Sequence, residues 1–341
     1  MKLEMKEHSK KIIIAEIGQA HDGSLGIAHS YIDALAETGV NAIKFQTHIA
    51  EAESSDYEEF RVNFSFQDAT RYDYWKRMEF SLDQWSGLKR HCDDVGVEFI
   101  SSPFSCAAVD LLTKIGVNKF KIGSGEVNNK LIIDKICQTN KEIYISSGMS
   151  SYNELDQAIK WISVYGNKVS LFQCTTNYPT IPSQWGLNVI NEMRDRYSVP
   201  IGFSDHSGDI FAGLSAVTLG ADLLEFHVVF DKKMFGPDTK SSITIDMTKQ
   251  LVAGVRNIEK ALENKIDKNE DSHFIGMKIN FGKSLCVNKN LKKGDILSFD
   301  DLEAKKPGNK GISADMYDLV LGKSIKRNLT KWEFLNNEDI L

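Results

Sequence analysis

Two short segments pair a histidine with a carboxylate at the end of an apolar run: Ile201-Gly-Phe-Ser-Asp-His206 and Leu223-Leu-Glu-Phe-His227. A stretch of helical length separates them. Two imidazoles at the carboxyl ends of neighbouring strands could hold one divalent metal, each oriented by an adjacent acidic side chain. Either could instead be an ordinary hydrogen-bonded rim histidine. Their repetition at consecutive strand ends favours the shared metal, and with it a metal-assisted enzyme.

The elements that must position them can be read from periodicity. Apolar runs rich in β-branched and aromatic residues occupy 12–17, 42–46, 97–101, 119–122, 142–146, 169–174, 200–204 and 223–229, and each has the length of a strand. Amphipathic stretches of helical period lie between them, at 25–37, 82–95, 106–115, 152–164, 188–197 and 210–219, and several end at a glycine suited to a helix cap. Eight strand–helix units in about 250 residues fit a (β/α)8 TIM barrel better than an open doubly wound sheet. The catalytic domain is thus expected over 1–264. The connection at 47–80 is far longer than an ordinary βα loop and carries Tyr57, Phe60, Phe64, Phe66, Tyr72, Tyr74 and Trp75; it is expected to cover part of the barrel mouth or to form an oligomer contact. A polar stretch at 264–272 opens a linker placed at 265–282, and 283–341 reads as a small β-rich unit that must lean on another surface.

Composition narrows the function. The 341-residue chain has a net charge of −6 and no long Lys/Arg run, which disfavours a nucleic-acid partner. Its five cysteines are dispersed, with no C-x-x-C pair, as expected in a reducing cytoplasm. The charged amino terminus does not resemble a signal peptide, and no segment approaches the ~20 apolar residues of a membrane span.

In a barrel the strand ends converge. Here they carry Glu16, Lys44 with Gln46, Ser102, Lys121 with Ser124 and Glu126, Ser147, Asn177, Ser204 with His206, and Glu225 with His227. Lysines aided by serine hydroxyls and by the backbone amides of Ile122-Gly-Ser-Gly125 suit a phosphate dianion. A phosphorylated small substrate beside a metal is the simplest content for such a pocket. Lys44 and Lys121 could instead be solvated rim residues, although a lysine inside an apolar strand has to face something. Cys174 reads as a small buried hydrophobe.

The residues then resemble the sialic acid synthase family. The resemblance runs through Ala15-Glu-Ile-Gly18 with His21 and Gly23, Lys44-Phe-Gln46, Ser102-Pro-Phe-Ser105 and Lys121-Ile-Gly-Ser-Gly-Glu126. It continues through Ser147-Gly-Met149, Cys174-Thr-Thr-Asn-Tyr-Pro179, the two histidine segments and Gly236-Pro-Asp238. It implies condensation of phosphoenolpyruvate with an open-chain N-acylated amino sugar. It also implies that the tail is an antifreeze-like (SAF, β-clip) domain that closes the partner's barrel in a domain-swapped homodimer. By the same resemblance His206 and His227 would hold Mn²⁺, with Mg²⁺ or Co²⁺ as substitutes. Lys44, Lys121, Ser124, Ser147, Asn177 and Ser204 would surround phosphoenolpyruvate, and Glu16, Gln46, Tyr178 and Asp238 would face the sugar. Glu126 would orient and activate a water, and Glu16 and Lys121 would be catalytic with it.

Two positions depart from the family pattern. Ala20 stands where an asparagine is usual before His21, and Lys306 stands where an arginine that contacts the N-acyl group precedes Pro-Gly-Asn. A lysine keeps the charge but loses the planar fork. N-acetylmannosamine and the 2,4-diacetamido-2,4,6-trideoxyhexoses that lead to legionaminate or pseudaminate both remain open as acceptors. Two further alternatives are a metal-dependent barrel aldolase, which needs no phosphate-binding lysines, and a catalytically silent sugar-binding protein.

Overall fold

The computed structural model describes residues 10–60, 64 and 66–341; the charged amino-terminal residues 1–9 lie outside it. Eight parallel strands alternate with helices over the first of two units, which ends at Asn264. They are β1 (Ile12–Gly18), β2 (Ala42–Thr47), β3 (Glu98–Pro103), β4 (Lys119–Ile122), β5 (Glu142–Ser146), β6 (Val169–Cys174), β7 (Ile201–Asp205) and β8 (Leu223–Val229). They pair in sequence order, and β1 also pairs with β8, so the sheet closes into the expected TIM barrel. A short β9 (Ile243–Thr244), not foreseen from the sequence, extends β8.

Alternation divides the core in two. Outward side chains pack with the helices into the main cluster, while Ile14, Ala42, Ile100, Tyr144, Phe172 and Leu223 fill the barrel interior. This plug leaves the polar strand ends above it as the floor of a mouth. Helix starts are fixed locally: Ser81 with Gln84 and Ser151 with Glu154 form reciprocal caps. Gly202 is dictated by the plug, because a Cβ there would lie 2.7 Å from ring carbons of the fully buried Phe172.

The long connection after β2 holds two short helices, Ala50–Glu53 and Arg71–Met78. Ala50, Tyr74, Trp75 and Met78 form a separate small core there, with Phe60, Phe64 and Tyr72 packed against it. The second unit spans Lys265–Leu341. It contains a helix, Ile275–Phe281, inside the stretch expected to be plain linker. An antiparallel pair, β10 (Ser284–Val287) and β11 (Leu302–Lys305), covers a core that includes Leu285, Val287, Leu297, Ile325 and Leu335. All five cysteines are free, and no helix among the described residues is long and apolar enough to cross a membrane.

Replacing Gly202 by alanine should overpack the barrel interior and destabilise the protein by about 1–3 kcal/mol. Urea unfolding should show a lower midpoint at unchanged slope; a wild-type midpoint would mean that the Phe172 ring can give way.

Candidate active site

Strand register brings the charged groups together. Glu16 on β1 lies opposite Lys44 on β2 and opposite His227 on β8, and Ser204 on β7 lies opposite Glu225 on β8. Lys44 Nζ donates to Glu16 Oε1 at 2.7 Å and lies 3.6 Å from Glu225 Oε1; Lys121 Nζ lies 2.8 Å from Glu225 Oε2 and 3.8 Å from the centroid of the Phe172 ring. Gln46 Nε2 also donates to Glu16 Oε1, and Ser204 Oγ donates to Glu225 Oε1 at 3.1 Å. All four charged side chains are at most 4% exposed.

Burial alone would raise the Glu16 carboxyl, but His227 and Lys44 outweigh it and hold the group well below the usual carboxylate range. Glu225 is likewise lowered, because Lys121 and Lys44 overcome its burial. Lys44, facing two carboxylates, is raised despite burial. Lys121 is lowered: burial leads, and the nearby Lys44 ammonium adds to it against the pull of Glu225. Each lysine thus faces a carboxylate; the shifts of Glu16, Glu225 and Lys44 favour their charged forms, and that of Lys121 opposes its own.

Above it stand the two histidines, with ring centroids 5.5 Å apart. His206 Nδ1 lies 2.8 Å from the Thr175 carbonyl oxygen. A carbonyl only accepts, so Nδ1 carries the proton and Nε2 keeps a lone pair. Burial and the neighbouring His227 push the His206 pKa down to about 4, so the ring is neutral near pH 7. His227 Nε2 lies 3.2 Å from Glu16 Oε2, and the Tyr178 ring stacks on His206 at 4.2 Å. Among the described residues no set of three or more His, Cys, Asp or Glu side chains converges as a complete cation cage.

These groups line one cavity of about 360 Å³. Of the residues expected from sequence, Glu16, Lys44, Gln46, Ser102, Lys121, Ser124, Tyr178, His206, Glu225, His227 and Asp238 meet there. Glu126, Ser147, Asn177 and Ser204 do not line it. Glu126 ends a 3-10 turn, Ser124–Glu126, whose rotation sends its side chain into a different hollow beside Glu53, Phe104 and Cys106, with its carboxylate accepting from Asn129 Nδ2. Ser147 is buried against Gln173, and Ser204 sits beneath the floor on Glu225. Asn177 is exposed and donates to Gln184, and Lys306 belongs to the second unit.

Three lining residues were not singled out from the sequence, although Gln19 and His48 each directly follow a strand. His48 is sandwiched between Trp75, at 3.8 Å, and Phe104, at 4.5 Å, and its Nδ1 lies 2.6 Å from Glu53 Oε1. Arg71 and Gln19 complete the wall with Phe64 and Trp75. The aromatic connection after β2 thus covers part of the mouth, one of the two outcomes expected for it. Position 148 must be glycine for Ser124 to reach the cavity: its φ is +33°, and a Cβ would lie 2.4 Å from Ser124 Oγ and 2.6 Å from Thr176 Oγ1.

The fold and the charged cavity at its mouth define an enzyme of the (β/α)8-barrel class. The chain belongs to the NeuB family, whose model matches residues 31–267, and its tail matches the SAF domain at 282–341. It is 34% identical to an N,N'-diacetyllegionaminic acid synthase from Campylobacter jejuni, over 96% of this chain and 99% of that protein. It is 32% identical to human N-acetylneuraminate-9-phosphate synthase, over 92% and 88%. The crystal structure of an N-acetylneuraminic acid synthetase from Leptospira borgpetersenii, in complex with citrate, superposes with a TM-score of 0.70 at 27% identity, over 80% of this chain and 94% of that one.

His21, 1% exposed, accepts from the Gly23 amide and packs on Phe80. Burial, with His48 and Arg77, pushes its pKa from 6.5 down to about 3. It is neutral in the fold, whereas the unfolded chain takes up the proton below about pH 6.5. Its contribution to stability is complete above that pH and is lost as pH falls towards 3, at up to ~1.4 kcal/mol per unit. Unfolding free energy between pH 6.5 and 4 should fall more steeply for the wild type than for His21→Asn; parallel curves would contradict a neutral His21.

Proposed function

We propose that the protein joins phosphoenolpyruvate to the aldehyde of an open-chain N-acylated amino sugar, giving a nine-carbon nonulosonic acid and inorganic phosphate. The observation that carries this reading is the placement of two imidazoles over a floor of two carboxylate-paired lysines, in one cavity of about 360 Å³. The names of the relatives support the same chemistry. The acceptor is N-acetylmannosamine or a 2,4-diacetamido-2,4,6-trideoxyhexose.

The residues present fit a divalent metal of the Mn²⁺ type. His206 Nε2 is left with its lone pair by the Thr175 bond, and Glu16 Oε2 stands beside His227. Two protein nitrogens without a third protein ligand leave positions open for substrate oxygens, as a catalytic site requires. A bound cation would supply Lewis-acid polarisation of the aldehyde oxygen and positive charge beside the carboxylate-paired lysines. His206 and His227 would hold it.

The remaining roles fall to the chain. Lys44 and Lys121 hold the phosphate and carboxylate of phosphoenolpyruvate, with Ser124 and the amides of Gly123 and Gly125 at the same wall. The enol carbon C3 attacks the aldehyde carbon, forming the new C–C bond and leaving positive charge at C2. Glu16 and Glu225, kept anionic by their neighbours, stabilise that charge electrostatically. Water then adds at C2, its proton passing to the alkoxide left by the aldehyde, and the resulting C2 hydroxyl collapses to the ketone as the C2–O bond breaks and phosphate departs with the bridging oxygen and that hydroxyl's proton. Glu126 lines the other hollow, apart from these groups.

We further propose a cytoplasmic homodimer in which the SAF unit closes the partner's barrel. Phe274, Ile275, Met277 and Phe281 are each about half exposed or more, an apolar surface that calls for cover.

Two measurements test the reaction. In H2¹⁸O with Mn²⁺, phosphate release should depend on the acceptor and stop with a chelator, and the label should enter C2 of the product and stay out of the phosphate. Label in phosphate would mean P–O cleavage and defeat the proposed course. His206→Ala and His227→Ala should each lower turnover by at least about 1,000-fold with the far-UV spectrum unchanged, and Lys121→Met should raise KM for phosphoenolpyruvate about tenfold or more. Wild-type activity of either histidine variant in metal-buffered solution would remove that residue from the ligand set.

A further inference from the structure

One wall of the cavity is built by the segment after β2, which the barrel itself does not need. Arg71 stands at the start of the helix Arg71–Met78 and lines the cavity. Its guanidinium carbon lies 4.1 Å from the centroid of the Trp75 ring and 5.2 Å from that of Tyr74. Nε donates to Glu58 Oε1 at 3.2 Å, and Trp75 Nε1 donates to the same carboxylate. Ring stacking and the Nε bond fix the plane of the fork. The two terminal nitrogens have no hydrogen-bond partner among the described residues, and the side chain is only 17% exposed.

We propose that Arg71 is a specificity-determining residue that recognises the N-acyl group of the acceptor: its terminal nitrogens donate to the acyl carbonyl, and the Phe64 ring, on the same wall, receives the acyl methyl. The inference rests on the synthase reading above. The wall matches an amide in both of its parts, a planar donor pair and, beside it, an aromatic surface. It does not match a phosphorylated sugar. Arg71 already shares its charge with Glu58, and among the described residues the lysines lining the cavity, Lys44 and Lys121, are tied to carboxylates in the floor. A bare hydroxyl would use the donors but make no use of the apolar Phe64 face.

The test is steady-state kinetics of the full-length protein with Mn²⁺ and phosphoenolpyruvate. N-acetylmannosamine is compared with mannose, and a 2,4-diacetamido-2,4,6-trideoxyhexose with its N-deacetylated form; N-acetylmannosamine 6-phosphate is a third arm. In Arg71→Gln the ratio of kcat/KM for the acylated sugar to that for its counterpart should fall roughly 10- to 100-fold, mainly through KM, with KM for phosphoenolpyruvate within about twofold of wild type. Arg71→Lys, which keeps the charge without the fork, should recover only part of the ratio, and it carries the test alone if the glutamine variant does not fold. An unchanged ratio, or a loss confined to the 6-phosphate, overturns the role of Arg71. A wild-type protein silent with every acceptor would defeat the synthase reading instead.

Discussion

Four charges buried side by side are the constraint around which the barrel mouth is organised. Glu16, Lys44, Glu225 and Lys121 are each nearly inaccessible to water, and an isolated ion in such a place would cost several kcal/mol or lose its charge. They are tolerated there because each lysine has a carboxylate within hydrogen-bond distance. Removing any one would strand a partner. The neighbours that could compensate, Gln46, Ser102 and Ser204, are already spent on the same carboxylates and lysines.

The barrel is what makes that arrangement affordable. Three neighbouring strands in fixed register set Glu16 between Lys44 and His227 without any loop having to close. The apolar plug beneath, with Phe172 under the Lys121 ammonium, excludes water from below. A rigid scaffold of this kind keeps charged groups preorganised, so little reorganisation is needed when a substrate's charge changes. His206, bonded through Nδ1 to the Thr175 carbonyl, is held beside these groups in the same way.

Much of this was legible in the sequence, for a physical reason. Residues on strands are placed by a period of two and by pairing, so eight apolar runs with polar groups at their ends already specify a ring of strand-end side chains. Glu16, Lys44, Lys121, His206 and His227 all come from strands or from the first residue past one, and all meet. Two of the residues outside the cavity sit on turns. Glu126 lies two positions beyond Ser124 on a tight 3-10 turn, where each residue rotates the side chain by about a third of a circle, so motif adjacency did not mean a shared cavity. Asn177 likewise turns outward to Gln184. Arg71 was hidden for the complementary reason: its place comes from aromatic stacking across a long connection, which leaves no period to read, whereas His48, the first residue past β2, follows the strand-end rule.

The division of labour between scaffold and connection follows from the same physics. Reaction chemistry shared by a family needs fixed charges, and these are held by strands whose register cannot slip without turning every side chain to the other face. Discrimination between acceptors needs a surface that can vary without disturbing those charges. The segment between β2 and β3 has its own small core, formed by Ala50, Tyr74, Trp75 and Met78, so it can hold a rigid wall of aromatic rings and one oriented guanidinium while drawing little on the barrel's interior. Substitutions in that small core should therefore alter which sugar is accepted before they alter how phosphoenolpyruvate is held, whereas substitutions in the four-charge floor should do the reverse.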